Sequence, residues 1–329
     1  MSHGYTPAWW LKGPHSQTLW PYLFRRRTLP ASRPERLTLP DGDFLDLLHA
    51  GDGGHGIALV LHGLGGSSQS HYIGGLIEAL AGQGWRPVLM HFRGCSGEPN
   101  RLARSYHSGE TGDLSFVVET LRARFPNEPI FVTGFSLGGN VLLKWLGETG
   151  ANNPATAAAA ISVPFMLGHA ARRLDQGFSR VYQTYLLRGL IAATKKKFSA
   201  RNDAPFKLRD LDRIRTIWQF DEVVTAPLHG FNSAAHYYRE SSSRQYLPNI
   251  AVPTLILHAK DDPFLPPKAA PTQRELNPTT LLELHETGGH VGFVEAPAAQ
   301  SAGYYIDRRI PVFFRQVLEL EKRKNVRHG

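Results

Sequence analysis

Apolar positions in this chain fall into short unbroken runs separated by stretches of helical period. Ile57-Ala58-Leu59-Val60-Leu61 is one such run; residues 86–91, 129–133 and 157–163 are others. Each is too short for a helix of ordinary length, and together they read as strands buried on both faces. Between them, residues 72–81 and the set Phe116, Val117, Thr120 and Leu121 carry apolar positions at helical spacing. Ahead of these, residues 36–39 and 44–49 flank Pro40-Asp41-Gly42-Asp43, a strand pair joined by a turn. Strand and helix then alternate regularly, which predicts a mostly parallel sheet covered by helices on both faces.

The alternation stops at Pro164 and resumes near Val252, with strands at 252–258 and 280–285 and a closing helix around 312–320. The intervening sequence is helical, basic and aromatic. The pattern predicts an N-terminal arm (residues 1–35), an α/β core in two pieces (36–163 and 247–329) and an inserted helical cap (164–246). No internal repeat or low-complexity tract interrupts it.

Composition narrows the picture. A chain of 329 residues with 42% hydrophobic content buries a large core. A single cysteine, Cys95, excludes an internal disulfide and agrees with a reducing compartment. Trp9, Trp10, Leu11 and the Arg25-Arg26-Arg27 cluster precede the core, but Pro7, Pro14 and Pro21 break any apolar h-region. A soluble, cytoplasmic protein is therefore expected. The net charge of +9 is unevenly spread: residues 172–215 hold 12 Lys+Arg against 4 Asp+Glu, and residues 1–36 hold 6 against 1. Residues 315–329 add 5 against 2, and the rest of the chain nets −7. Such a modular map argues against a nucleic-acid partner, which a uniformly basic face would serve.

The candidate chemistry lies where the apolar run after Pro129 breaks at Gly134-Phe135-Ser136-Leu137-Gly138-Gly139 and helical spacing starts at once with Val141, Leu142, Trp145 and Leu146. A serine between glycines at a strand-to-helix reversal is a nucleophile elbow, its hydroxyl pushed into the open by a turn too tight for neighbouring side chains. The helix that leaves it points N–H groups and a positive dipole end at whatever the serine attacks. A serine needs a base, and the base a carboxylate, expected in the order Ser, acid, His at the ends of later strands. The turn Lys260-Asp261-Asp262-Pro263-Phe264 follows one strand, and Gly288-Gly289-His290-Val291-Gly292 follows the next. Asp262 is preferred over Asp261 because the apolar turn Phe264-Leu265-Pro266 follows it. His290 is preferred over His285, which falls inside a strand pattern. The amides of Leu64, in His62-Gly63-Leu64-Gly65-Gly66, and of Leu137 are the candidate oxyanion donors. The glycine-rich loop lacks the Lys of a phosphate-binding loop, and neither His-x-x-x-His spacing on a helix nor a cysteine pair is present, so no cofactor and no metal are expected.

These motifs, with Gly13-Pro14-His15-Ser16-Gln17-Thr18, the loop His91-Phe92-Arg93-Gly94-Cys95-Ser96-Gly97-Glu98-Pro99-Asn100-Arg101 and His107-Ser108-Gly109-Glu110-Thr111, resemble the α/β-hydrolase superfamily. Within it the chain is similar to the branch of bacterial YheT-type hydrolases and their eukaryotic relatives among the α/β-hydrolase-domain lipases. The resemblance covers nearly the whole chain and implies an α/β-hydrolase fold with carboxylesterase or acylglycerol lipase activity. By motif position it places the family's Ser, Asp and His on Ser136, Asp262 and His290. Some relatives in the wider superfamily carry a His-x4-Asp acyltransferase motif. Here five residues, not four, separate His107 from Asp113, which disfavours transfer.

Three readings follow. The favoured one is a serine hydrolase of carboxylic esters, with a small-molecule or lipid ester as substrate. The others are a non-catalytic lipid- or ligand-binding protein on the same fold and an acyl transferase. Arg93, Cys95, Glu98, Asn100, Arg101 and Glu110 are expected to stiffen their loop rather than touch substrate, and Cys95 as a nucleophile lacks an elbow and a base. In the cap, Tyr182, Tyr185, Leu186, Leu190 and Ile191 share one helical face. Either they line an acyl pocket while Lys195, Lys196 and Lys197 meet an anionic membrane surface, or the helix packs on the core with a solvated basic end.

Overall fold

The computed structural model describes residues 4–25, 28–298 and 301–328. The apolar runs form β3 (Ile57–Leu61), β4 (Arg86–Met90), β5 (Ile130–Phe135) and β6 (Ala157–Ile161). They join β1 (Ser32–Thr38), β2 (Phe44–Ala50), β7 (Thr254–Ala259) and β8 (Thr280–His285) in one sheet of order β1-β2-β4-β3-β5-β6-β7-β8. The first two strands are an antiparallel hairpin, and β2 meets β4 antiparallel. Every pair from β4 to β8 is parallel.

The central runs are unbroken because both sheet faces are covered. In β3, Leu59 and Leu61 pack into one apolar cluster with Val117, Leu121, Val141 and Leu142, while Ala58 and Val60 pack into another with Leu76, Leu80, Ile310 and Phe314. The first set comes from α3 (Gly112–Arg124) and α4 (Leu137–Thr149). The second comes from α2 (Ile73–Gly82) and α10 (Tyr305–His328). Period-2 alternation thus persists as alternation between two cores rather than between core and water. At the edge, β1 is mostly exposed and carries Arg33, Pro34, Glu35 and Arg36, residues that discourage pairing with another chain.

Between β6 and β7 the chain forms α5 (Leu167–Leu174), α6 (Ser179–Phe198), α7 (Ile217–Phe220), α8 (Ala226–Leu228) and α9 (Ala234–Ser241), with a π-helical turn at Asp221–Thr225. These helices have an apolar cluster of their own, including Leu174, Leu187, Leu211, Phe220 and Tyr237, and Phe264 and Leu19 pack against it.

Two elements went unanticipated. The arm forms α1 (Pro14–Phe24), with Pro14 in its first turn and Pro21 within it. Beyond β8, β9 (Val294–Ala298) and β10 (Ser301–Tyr304) form a separate two-stranded hairpin, and α10 starts at Tyr305, ahead of the expected 312. The arm's expected boundary at residue 35 also falls inside β1, so the last residues assigned to the arm are paired in the sheet. Among the described residues no helix is long and apolar enough to cross a membrane.

Candidate active site

Ser136 sits between β5 and α4 with φ 51° and ψ −114°, a conformation unusual for any residue other than glycine. The glycines around it are required by close approach. A Cβ on Gly134 would lie 2.4 Å from the Gly138 carbonyl oxygen, and one on Gly138 would lie 2.5 Å from that of His62. The turn is therefore pressed against both its own helix and the loop after β3.

His290 and Asp262 meet Ser136 from the loops after β8 and β7. The His290 Nε2 lies 3.0 Å from Ser136 Oγ, and its Nδ1 lies 2.8 Å from Asp262 Oδ2. Asp262 is buried, and its other oxygen accepts the Phe264 N–H at 2.8 Å. The Phe264 ring stacks flat on the imidazole, centroids 3.9 Å apart and planes 4° from parallel, so the ring is held by packing as well as by hydrogen bonds. Asp261 does something else: its Oδ1 accepts the Gly289 N–H at 2.9 Å and so ties down the backbone beside His290. Its carboxyl is pushed above the usual range by burial, with the neighbouring Asp262 adding to the effect.

The arm completes this loop, and sequence reasoning had missed the connection. Thr18 Oγ1 accepts the His290 N–H at 2.9 Å, and Gln17 Oε1 accepts the Val294 N–H at 2.8 Å. From the side of β6, Ser162 Oγ accepts the Val291 N–H at 3.0 Å. A Cβ on Gly289 would come within 2.6 Å of the Pro14 carbonyl oxygen, and one on Gly292 within 2.3 Å of that of Gln17. Val291 and Phe293 hold positive φ of 54° and 44°. The Gly13-to-Thr18 motif was the available signal, but its partner lies 272 residues away.

The Leu64 loop lies against the serine: a Cβ on Gly63 would be 3.3 Å from Ser136 Cβ. Three of its amides are occupied. Gly63 donates to Tyr72 Oη and Gly65 to Tyr106 Oη, both at 2.8 Å, and Gly66 donates to the Gly63 carbonyl at 3.0 Å. Among the described residues neither the Leu64 nor the Leu137 amide has such an acceptor, the condition a donor pair for an oxyanion must meet. His62 is structural: Nε2 accepts the Phe92 N–H at 3.2 Å, so Nδ1 donates to the Gly63 carbonyl at 2.8 Å. Burial pulls its pKa down to about 3, keeping it neutral.

The loop after β4 is a salt-bridged brace. The buried Arg93 forks onto Asp113 through two 2.7 Å bonds and also reaches Asp41 and Asp43. Asn100 donates to Asp43 at 2.6 Å, and Glu110 pairs with Arg104. Burial pushes the Cys95 thiol up to about 12, which removes it as a nucleophile at neutral pH. The lysine run is partly absorbed here: Lys197 Nζ donates to Asn100 Oδ1 and the Arg104 carbonyl at 2.7 Å, and Lys195 pairs with Asp212. Lys197 therefore points at this loop rather than outward. Among the described residues no group of three or more His, Cys, Asp or Glu side chains is placed to hold a metal ion.

A serine at a strand-turn-helix, an aspartate and a histidine in the loops after two later strands, and a sheet of this order are the features of the α/β-hydrolase fold. The model of the alpha/beta hydrolase fold family matches residues 59–297. The chain belongs to that family and, within it, to the branch of YheT-type hydrolases. It is 44% identical over 310 residues to the Escherichia coli (strain K12) protein named "Putative esterase YheT", covering 93% of this chain and 91% of that one. It is 33% identical over 242 residues to a monoacylglycerol lipase of Saccharomyces cerevisiae, covering 71% of this chain and 54% of the yeast protein. Among solved structures, the Pyrococcus furiosus esterase Pf2001 shares the fold with a TM-score of 0.60 at 18% identity, covering 88% of this chain and 91% of that one.

Proposed function

We propose that the protein is a serine hydrolase of carboxylic esters, a short- to medium-chain carboxylesterase or monoacylglycerol lipase, working through an acyl-enzyme. The observation that carries this reading is the continuous hydrogen-bonded chain from Ser136 Oγ through His290 to Asp262, with the serine held at a left-handed φ. The names of the relatives, an esterase and a monoacylglycerol lipase, support the same substrate class.

In this mechanism Ser136 Oγ attacks the ester carbonyl carbon as His290 Nε2 takes its proton. Asp262 keeps the Nδ1–H tautomer in place and stabilises the imidazolium. The Leu64 and Leu137 amides receive the oxyanion. When the tetrahedral intermediate collapses, the C–O bond to the alcohol breaks and His290 returns the proton to the leaving oxygen. Water then attacks the acyl-enzyme with His290 as base, releasing the acid and restoring the Ser136 hydroxyl.

A fluorophosphonate probe should label the wild type and leave Ser136→Ala unlabelled. A folded wild type that resists labelling would favour the ligand-binding reading. A p-nitrophenyl ester series of rising chain length should show turnover that collapses by at least about four powers of ten in Ser136→Ala. Turnover that needs an added alcohol acceptor would instead mark an acyl transferase.

A further inference from the structure

Large apolar side chains left in water are concentrated near one edge of this molecule. Of eight exposed ones among the described residues, Leu23 and Phe24 lie on α1, Phe178 directly precedes α6, Val181 and Tyr185 lie in its first two turns, and Trp9 lies five residues ahead of α1. The two helices run side by side. His15 Nδ1 lies 3.0 Å from Tyr182 Oη, the His15 and Phe178 rings are 4.5 Å apart, and the Tyr22 and Tyr185 rings are 5.5 Å apart. Phe178, Val181 and Tyr185 recur at the spacing of one helical face, and the exposed Ala192 extends it.

Two further observations identify what this face fits. First, the segments that build it are predominantly basic: the first acid of the chain is Glu35, and Asp175, just before Phe178, is paired with Arg180 at 4.0 Å, with no further acid until Asp203. Lys12, Arg180 and Arg188 stand exposed beside the apolar residues. Apolar anchors with a predominantly basic rim match a lipid surface bearing anionic headgroups. Second, the face is continuous with the site. From Phe178 the rings step through His15 to Tyr182, from Tyr182 to Phe264 at 5.0 Å, and from Phe264 to His290 at 3.9 Å. A continuous line of ring contacts therefore joins this face to the imidazole.

We propose that the paired face of α1 and the first half of α6 is a docking surface for an anionic lipid bilayer, presenting membrane-resident esters to Ser136. The occupant rests on the hydrolase reading, but the docking does not, and the two are tested apart.

The test is co-flotation of the full chain, as Ser136→Ala to prevent turnover, with vesicles of phosphatidylcholine mixed with phosphatidylglycerol. The combined substitution Leu23→Ser, Phe24→Ser and Val181→Ser should weaken vesicle partitioning by about tenfold or more. Built into the wild type, it should leave hydrolysis of a water-soluble p-nitrophenyl ester within about twofold. Arg180→Glu with Arg188→Glu should lower partitioning to the mixed vesicles while sparing the weaker binding to pure phosphatidylcholine. Unchanged partitioning of the triple variant, or no partitioning of the parent chain, overturns the proposal. So does a parent chain that dimerises through this face, shown by a triple variant that is monomeric. Loss of binding on reversing Lys195 and Lys196, with the triple variant unaffected, would move docking to the far end of α6 and overturn it too. Vesicle binding without esterase activity would sink the hydrolase reading and leave the docking face standing.

Discussion

The turn that carries Ser136 and the loop that carries His290 meet the same demand, a side chain fixed to a fraction of an ångström, with opposite resources. The serine turn is specified within seven consecutive residues, Gly134 to Asn140. Gly134, Gly138 and Gly139 allow β5 and α4 to close on each other, and the hydrogen bond from Asn140 N to the Ser136 carbonyl starts the helix at once. The histidine loop specifies little by itself. Its amides are accepted by Thr18 and Asp261 and by Ser162, and its Gly289 and Gly292 are pressed against α1. One half of the site is thus a local motif, while the other is assembled by elements from the chain's beginning, middle and end.

If that contrast is right, damage at the acid should be severe and specific. Asp262→Asn should cut kcat by about three to four powers of ten, since an amide at that distance favours the wrong imidazole tautomer. Asp261→Asn should cost less than about tenfold, because it keeps an acceptor for the Gly289 amide. Steady-state kinetics on a soluble ester reads both. Equal losses would mean that the two carboxylates share the role and that the loop is less finely divided than described.

A second substitution probes the local half. Gly138→Ala puts a methyl 2.5 Å from the His62 carbonyl oxygen and 2.8 Å from that of Leu61, both backbone atoms that cannot swing aside. It should destabilise the fold by about 3 kcal/mol, at the upper end of overpacking costs, visible in urea denaturation. A neutral result would show that the elbow is looser than its contacts imply.

The same contrast explains what was legible in the sequence. The elbow, the Leu64 loop, the turn holding Asp262 and the sheet strands are each written in adjacent residues, so motif and period suffice to name them. The role of Gln17 and Thr18 is not, because their partners lie more than 270 residues away and a proline-bearing arm gives no clear helical period. The β9–β10 hairpin was missed for a related reason: residues 294–304 include Pro297 and Gly303, and their alternation is too short to announce a strand pair. The brace around Arg93 was foreseen as a network, but its acids, Asp41 and Asp43 in the β1–β2 turn and Asp113 in α3, come from two distant places and could be named only once folded.

The remote half is tested through the arm. Thr18→Val keeps the volume and removes the acceptor, leaving the buried His290 amide unpaired, which costs about 1–3 kcal/mol. If that cost falls on the loop's position, kcat should drop by about ten- to a hundredfold with KM nearly unchanged. Thr18→Ser should restore it. A merely structural Thr18 would lower the melting temperature with no kcat effect in the surviving fold.

The smallest effect concerns the charge that Asp261 brings to the same loop. Its Oδ2 is buried and, among the described residues, has no hydrogen-bond partner, while its Oδ1 holds Gly289 and Asp262 sits next in the chain. Burial and that neighbour together raise its pKa in the folded state above the ordinary carboxylate value. The sign follows from linkage: where the folded chain holds a proton that the unfolded chain has lost, stability falls as pH rises. The penalty is absent below the unfolded value near 3.8, grows as pH climbs from there to the raised folded value, and is constant above it. Asp261→Asn removes it. Because the carboxyl is only partly buried, solvent screens the gain to under ~1 kcal/mol at neutral pH, read as a slightly higher melting temperature at pH 7 that disappears at acid pH below the ordinary carboxylate value. A variant less stable than the parent at neutral pH would mean that the charge, and not merely the acceptor, holds Gly289, and the histidine loop would then depend on electrostatics as well as on the packing supplied by α1.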